Sequence, residues 1–91
     1  MNWQLVFTEQ YVRRARRFLR RNPQVRAQYE KTLELLSLNP QHPSLRLHNL
    51  KGNLKHLQRV SINMHYRITI ELLITEYEII LVNVGDHDSV Y

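Results

Sequence analysis

The sequence predicts an α+β fold in which an N-terminal strand and a helical hairpin precede an antiparallel curved sheet, in the order β-α-α-β-β-β. Three observations predict it. Apolar residues recur at helical spacing through the first part of the chain, and the pairs Asn39-Pro40 and His42-Pro43 then end that pattern. Three segments rich in branched and aromatic residues follow, separated by polar turns.

Residues 3–7 are bulky enough for a short strand, and Thr8 follows as an N-cap with Glu9 in the first helical turn. Tyr11, Val12, Ala15, Phe18 and Leu19 mark the apolar face of the first helix, while Arg13, Arg14, Arg16, Arg17, Arg20 and Arg21 fill the rest of its circumference. Asn22-Pro23 reads as a stop and a restart, with Asn22 capping a second helix and Pro23 at its first position. Val25, Tyr29, Leu33 and Leu36 carry that helix to about residue 38. A residue before proline is pushed out of the α region, so 39–43 break it. Residues 45–52 suggest a short strand or extended segment entering a Gly-Asn turn, and 57–62, 66–74 and 78–84 are the strands of a meander.

The chain of 91 residues is expected to form a single domain, 1–91. A chain of this size buries only about 60–65% of its unfolded surface, enough for one thin core. Hydrophobic residues at 43% and charged residues at 23% are ordinary globular values. The absence of cysteine excludes a disulfide framework, a thiolate metal site and a cysteine nucleophile, and fits a reducing cytoplasm. No apolar run approaches the roughly 20 residues of a membrane span, so no membrane partner is expected. The formal charge is +5, and ten of the thirteen basic residues are arginine. Clustered cations gain affinity for a phosphate backbone by releasing its counterions, so a polyanion is the expected partner. An acidic protein would serve equally well.

No Walker loop, GxGxxG, HExxH or metal-spaced histidine pair occurs, so neither cofactor nor metal is expected. What remains is a basic chain with five histidines, of which His48, His65 and His87 fall beside the predicted strands or at their ends. RNA cleavage without metal needs a base for the 2′-OH proton, an acid for the departing 5′ oxygen and a cation over the phosphate. Histidine suits the first two roles and Arg or Lys the third. His48, His87, Lys51, Arg59 and Arg67 supply those types.

Three ordered segments carry a resemblance. They are His42-Pro43-Ser44-Leu45-Arg46-Leu47-His48-Asn49-Leu50-Lys51-Gly52, then Val60-Ser61-Ile62-Asn63-Met64-His65-Tyr66-Arg67-Ile68, then Val84-Gly85-Asp86-His87-Asp88-Ser89-Val90-Tyr91. Together with the first strand and basic hairpin they resemble the RelE/ParE toxins, and within them the YafQ-like branch. The resemblance implies a small sheet backed by a helix pair and a metal-independent endoribonuclease that cuts mRNA at the ribosomal A site. It also implies a cognate acidic antitoxin as partner besides mRNA and the ribosome, with the toxin monomeric when free and in a higher-order complex with the antitoxin. His87 matches the family's closing histidine, Tyr91 its closing aromatic, and His48 the histidine of its H-x-L-x-G pattern. His65-Tyr66 departs from the acid-aromatic pair of some YafQ-like members. Lys51, Lys55 and Arg59 retain the basic types that RelE-like members use.

Blander readings stand beside these. His87 between Asp86 and Asp88 is otherwise a loop histidine, Tyr66 otherwise a cross-strand packing residue, and Tyr91 otherwise a loose end. Arg67 alternates to the opposite face from Tyr66, so both line one groove only if a bulge intervenes. The arginines at 13, 16, 17 and 20 are otherwise a solvated helix face, or else Arg13, Arg16, Arg17 and Arg20 grip ribosomal RNA. The alternative functions are a ParE-like inhibitor of DNA gyrase without nuclease activity and a non-catalytic basic RNA-binding module.

Overall fold

A computed structural model of the protein describes residues 2–86; His87 and Tyr91 lie outside the described residues. Strand β1 (Gln4–Phe7) leads into helix α1 (Glu9–Arg21), a 3-10 turn (Pro23–Val25) and helix α2 (Arg26–Leu38). A second 3-10 turn (Pro43–Leu45) precedes the two-residue strand β2 (His48–Asn49), followed by β3 (Gln58–Ser61), β4 (Tyr66–Leu73) and β5 (Glu78–Asp86). No described helix is long and apolar enough to cross a membrane.

Thr8 caps α1 as expected, its hydroxyl accepting from the Tyr11 amide at 3.1 Å. Asn22 does not cap α2. Its side-chain amide instead donates back to the Phe18 carbonyl at 2.9 Å, closing α1, and Pro23 opens a 3-10 turn with no side-chain cap. Short polar side chains compete for nearby backbone groups, and here the carbonyls ending α1 win.

The described strands form one sheet in the order β1-β5-β4-β3-β2. The antiparallel sheet expected after the helical hairpin is present, and β1 joins it by pairing with β5 in parallel, Gln4 opposite Glu78 and Phe7 opposite Leu81. The intervening helices make this possible, since parallel neighbours require a long crossover. The remaining pairs are antiparallel.

The core lies between the helices and one sheet face, where Tyr11, Phe18, Tyr29 and Leu36 meet Val60, Ile68, Ile70, Ile79, Leu81 and Val84. Leu81 and Val84 are three apart yet both face inward. The register explains it: Thr69 pairs with Asn83 and Ile70 with Leu81, so Val82 is an extra residue that bulges from β5. The Arg14 guanidinium donates to the Val82 carbonyl at 3.3 Å, fastening α1 to the bulge.

The Tyr11 and Tyr29 hydroxyls share a buried hydrogen bond of 2.7 Å. Burial pushes both phenols above their ordinary value of 10.0, reinforced at Tyr11 by its neighbour and opposed at Tyr29 by that hydrogen bond. A raised folded pKa means that stability is complete below the unfolded value and declines as pH rises past 10.0. The expected loss is about 1.4 kcal/mol per pH unit for each phenol kept neutral. Tyr11→Phe is expected to lower stability at neutral pH by about 1–2 kcal/mol and to flatten that alkaline decline. Urea unfolding at neutral and alkaline pH measures both.

Candidate functional site

The face of the sheet opposite the helices carries polar residues where alternation puts them. Directly paired residues project to the same side of a sheet. His48 pairs with Arg59, Arg59 with Thr69, and Thr69 with Asn83, so these four side chains form one row across β2, β3, β4 and β5. Two residues along, Ser61 pairs with Arg67 and Arg67 with Gly85.

His48 is exposed on the edge strand β2, and its Nδ1 lies 3.2 Å from the Arg46 carbonyl. A carbonyl oxygen only accepts, so Nδ1 carries the hydrogen and the neutral ring presents a lone pair at Nε2. His42 takes the opposite tautomer, because its Nδ1 accepts from the Ser44 amide at 3.2 Å. The carbonyl that orients His48 comes from an unusual backbone: Arg46 ends the Pro43–Leu45 turn in the left-handed region, at φ 51 and ψ 46. Such a conformation costs a non-glycine residue about 1 kcal/mol.

Beside His48, Arg59 is only 6% exposed, and Thr69 is wholly buried. Burial first, and then the nearby charge of Arg67, hold the Arg59 guanidinium below its ordinary pKa. It remains a cation at neutral pH. The two guanidiniums lie on one face, close enough for the charge of Arg67 to act on Arg59. The Thr69 hydroxyl finds no hydrogen-bond partner among the described residues. Thr69 and Asn83 were not singled out by sequence, although Arg67, Thr69 and Glu71 share one parity on β4 and so signal a polar face.

The other expected residues are more dispersed. Lys51 and Lys55 flank the 3-10 turn Gly52–Leu54 between β2 and β3, and both are exposed. His65 is exposed in the turn between β3 and β4, outside the His48 row, its amide donating to Asn63 Oδ1 at 2.8 Å. Tyr66 faces the helices: its ring meets Phe18 edge-on with centroids 5.0 Å apart, and its hydroxyl donates to Asn22 Oδ1 at 2.9 Å. Tyr66 and Arg67 therefore do occupy opposite faces, as alternation requires.

The arginines of α1 lie on the helical side. Arg13, Arg16 and Arg20 rim a groove whose lining includes Phe7, Val12 and Leu19. Arg17 lines both that groove and a second cleft, shared with Arg14, Arg21 and Tyr66 at the C-terminal end of β5. Among the described residues, no group of three or more His, Asp or Glu side chains is arranged to hold a metal ion.

A basic helix pair on one sheet face and a histidine–arginine row on the other can be compared with known proteins. No protein-family model matches the chain, and no curated protein matches its sequence. Solved structures do match in three dimensions. A chain of the Escherichia coli DinJ–YafQ toxin–antitoxin complex superposes with a TM-score of 0.78 at 14% identity, covering 100% of this chain and 99% of that one. The chain has the fold of the RelE/ParE toxins. A YoeB/ParE toxin from Agrobacterium tumefaciens shares this toxin fold with a TM-score of 0.74 at 13% identity, over 92% of this chain and 98% of its own. A metal-bound toxin from Helicobacter pylori does so at 0.73 and 17% identity, over 98% of this chain and 99% of its own. The toxin fold thus spans nearly the whole chain, with β1 and the helix pair included.

Proposed function

We propose that the chain is the toxin of a type II toxin–antitoxin system and acts as a metal-independent endoribonuclease on mRNA at the ribosomal A site. The observation that carries the reading is His48, held by its Nδ1–H on the Arg46 carbonyl and set in register beside the buried Arg59 cation. The bare Nε2 of neutral His48 takes the proton of the 2′-hydroxyl, whose oxygen then attacks the neighbouring phosphorus. Arg59, with Lys51 at the adjoining turn, offsets the charge that builds on the phosphoryl oxygens. The bond to the 5′ oxygen breaks, and that oxygen leaves with a proton from His87. This yields a 2′,3′-cyclic phosphate on one fragment and a 5′-hydroxyl on the other. The assignments of His87 as acid and Tyr91 as a base-stacking or positioning residue rest on their match to the closing histidine and aromatic of the YafQ-like pattern.

The partner is an acidic antitoxin, supported by the apolar groove rimmed by arginines along α1, which suits an acidic segment that folds on binding. The exposed cations of the same helix grip ribosomal RNA in the free toxin. Changing Arg13, Arg16, Arg17 and Arg20 to Glu is expected to reduce co-sedimentation with ribosomes at least tenfold, because each reversal replaces a phosphate contact by repulsion. These side chains are exposed, so the melting curve should hold. Undiminished co-sedimentation would remove this role. The chemistry itself is tested by the ends of the fragments made in a translating extract. Cyclic phosphates support the proposed reaction, whereas 3′-hydroxyl and 5′-phosphate ends, the marks of water attack, contradict it.

A further inference from the structure

Arg46, Ser61 and Arg67 line a small depression together with Ser44 and Asn63 on the face that carries His48. Its position follows from the register. Ser61 pairs with Arg67 on the face that carries the Arg59–Thr69 pair, and Arg46, at the end of the Pro43–Leu45 turn, lines the depression beside them. Ser61 and Arg67 thus form the next same-face row after the Arg59–Thr69 pair, two residues along the strands, or about 6.7 Å. That distance is about one nucleotide step along an extended single strand. Gly85 ends this row on β5 and adds no side chain to fill it.

The donors present suit a phosphate. One Arg67 nitrogen, Nη1, serves the carbonyls of Asn63 and Tyr66, which fixes the guanidinium plane and leaves its Nε and Nη2 hydrogens for a ligand. The exposed Arg46 side chain adds a second guanidinium, and Ser61 a hydroxyl. Ser44 contributes less, because its hydroxyl lies 2.6 Å from the accepting Nδ1 of His42. Two guanidiniums at one depression, those of Arg46 and Arg67, concentrate positive charge that a phosphate neutralises. Neither the Arg46 side chain nor Ser61 has a part in the proton transfers proposed above.

We propose that Arg46, Ser61 and Arg67 form a second phosphate subsite, which holds the RNA phosphate one nucleotide away from the one beside His48 and Arg59. The subsite rests on the ribonuclease reading, but it concerns binding and is measured apart from cleavage. Arg46 has two linked functions in this account: its carbonyl orients His48 and its side chain grips the neighbouring phosphate.

The left-handed backbone of Arg46 makes a discriminating variant available. Glycine adopts that conformation without steric penalty, so Arg46→Gly removes the guanidinium and relieves the backbone together. The probe is a short 2′-O-methyl oligoribonucleotide, which binds but lacks the hydroxyl needed for cleavage, followed by fluorescence anisotropy across a salt series. The expected result is that Arg46→Gly melts no lower than wild type yet binds about tenfold more weakly, with the slope of log affinity against log salt shallower by about 0.7. Arg67→Ala should show the same change in slope. Wild-type affinity and slope in folded Arg46→Gly and Arg67→Ala would overturn the subsite. Failure of the ribonuclease reading is seen separately, as intact RNA when a substrate with free 2′-hydroxyls is offered during translation.

Discussion

His48→Ala should reduce RNA cleavage in a translating extract by about 10²–10⁴-fold, the usual contribution of a positioned general base. The protein should fold as before, since His48 is exposed on an edge strand. Surface substitutions of this kind usually change stability by no more than about 0.5 kcal/mol. The loss should fall on the rate at saturating toxin and not on ribosome association, because the cations of α1 lie on the other side of the sheet. His48→Gln separates proton transfer from hydrogen bonding: it offers polar atoms but no titratable nitrogen, and should be as inactive as alanine. Activity in His48→Gln near that of wild type would reduce His48 to a binding residue.

The second large effect is expected at Arg59. Removing a cation aimed at developing phosphoryl charge costs about 10²–10³-fold in rate, and Arg59→Ala should show that loss with little change in KM. Arg59→Lys should recover only part of it, because an ammonium has the charge without the rigid fork of donors. Burial sharpens this expectation: at 6% exposure the side chain has little freedom to find a new geometry. Single-turnover cleavage at varied toxin concentration measures both terms, and full activity in Arg59→Lys would show that charge alone suffices.

Much of the fold was legible because local rules and tertiary packing agree in this chain. Thr8 caps α1 as an N-cap threonine should, the α1 stripe of Tyr11, Ala15, Phe18 and Leu19 is the buried face, and the prolines at 40 and 43 end the helical half. Places where the sequence misleads have particular causes. Asn22 has two favourable local partners, and only the packing of Tyr66 against Phe18 and Asn22 shows which side it takes. The parallel pairing of β1 with β5 joins the two ends of the chain, and no local pattern encodes such a contact. Asn83 belongs to the polar row only because Val82 bulges, which shifts the alternation of β5 by one residue.

The candidate site was legible by residue type more than by arrangement. Histidine and arginine at 48 and 59 point to acid–base and phosphate chemistry wherever they lie, but their adjacency depends on a two-residue strand that no periodicity could establish. Arg46 could not be found in this way at all. Its role comes from a backbone conformation that sequence rules reserve for glycine or asparagine, and an arginine gives no sign of it. His65 and Tyr66 illustrate the converse: they stand next to residues of the site in sequence, yet one is in a turn and the other packs beneath the helices.

The most direct test of the central claim, that the His48–Arg59 face cuts translated mRNA, is a map of mRNA 5′ ends after induced expression in a bacterial host. Wild type and His48→Ala would be compared at equal protein levels. The account predicts new 5′ ends in phase with codons in the wild type and their loss in the variant. Growth arrest with intact mRNA, or the same cuts in both proteins, would contradict it.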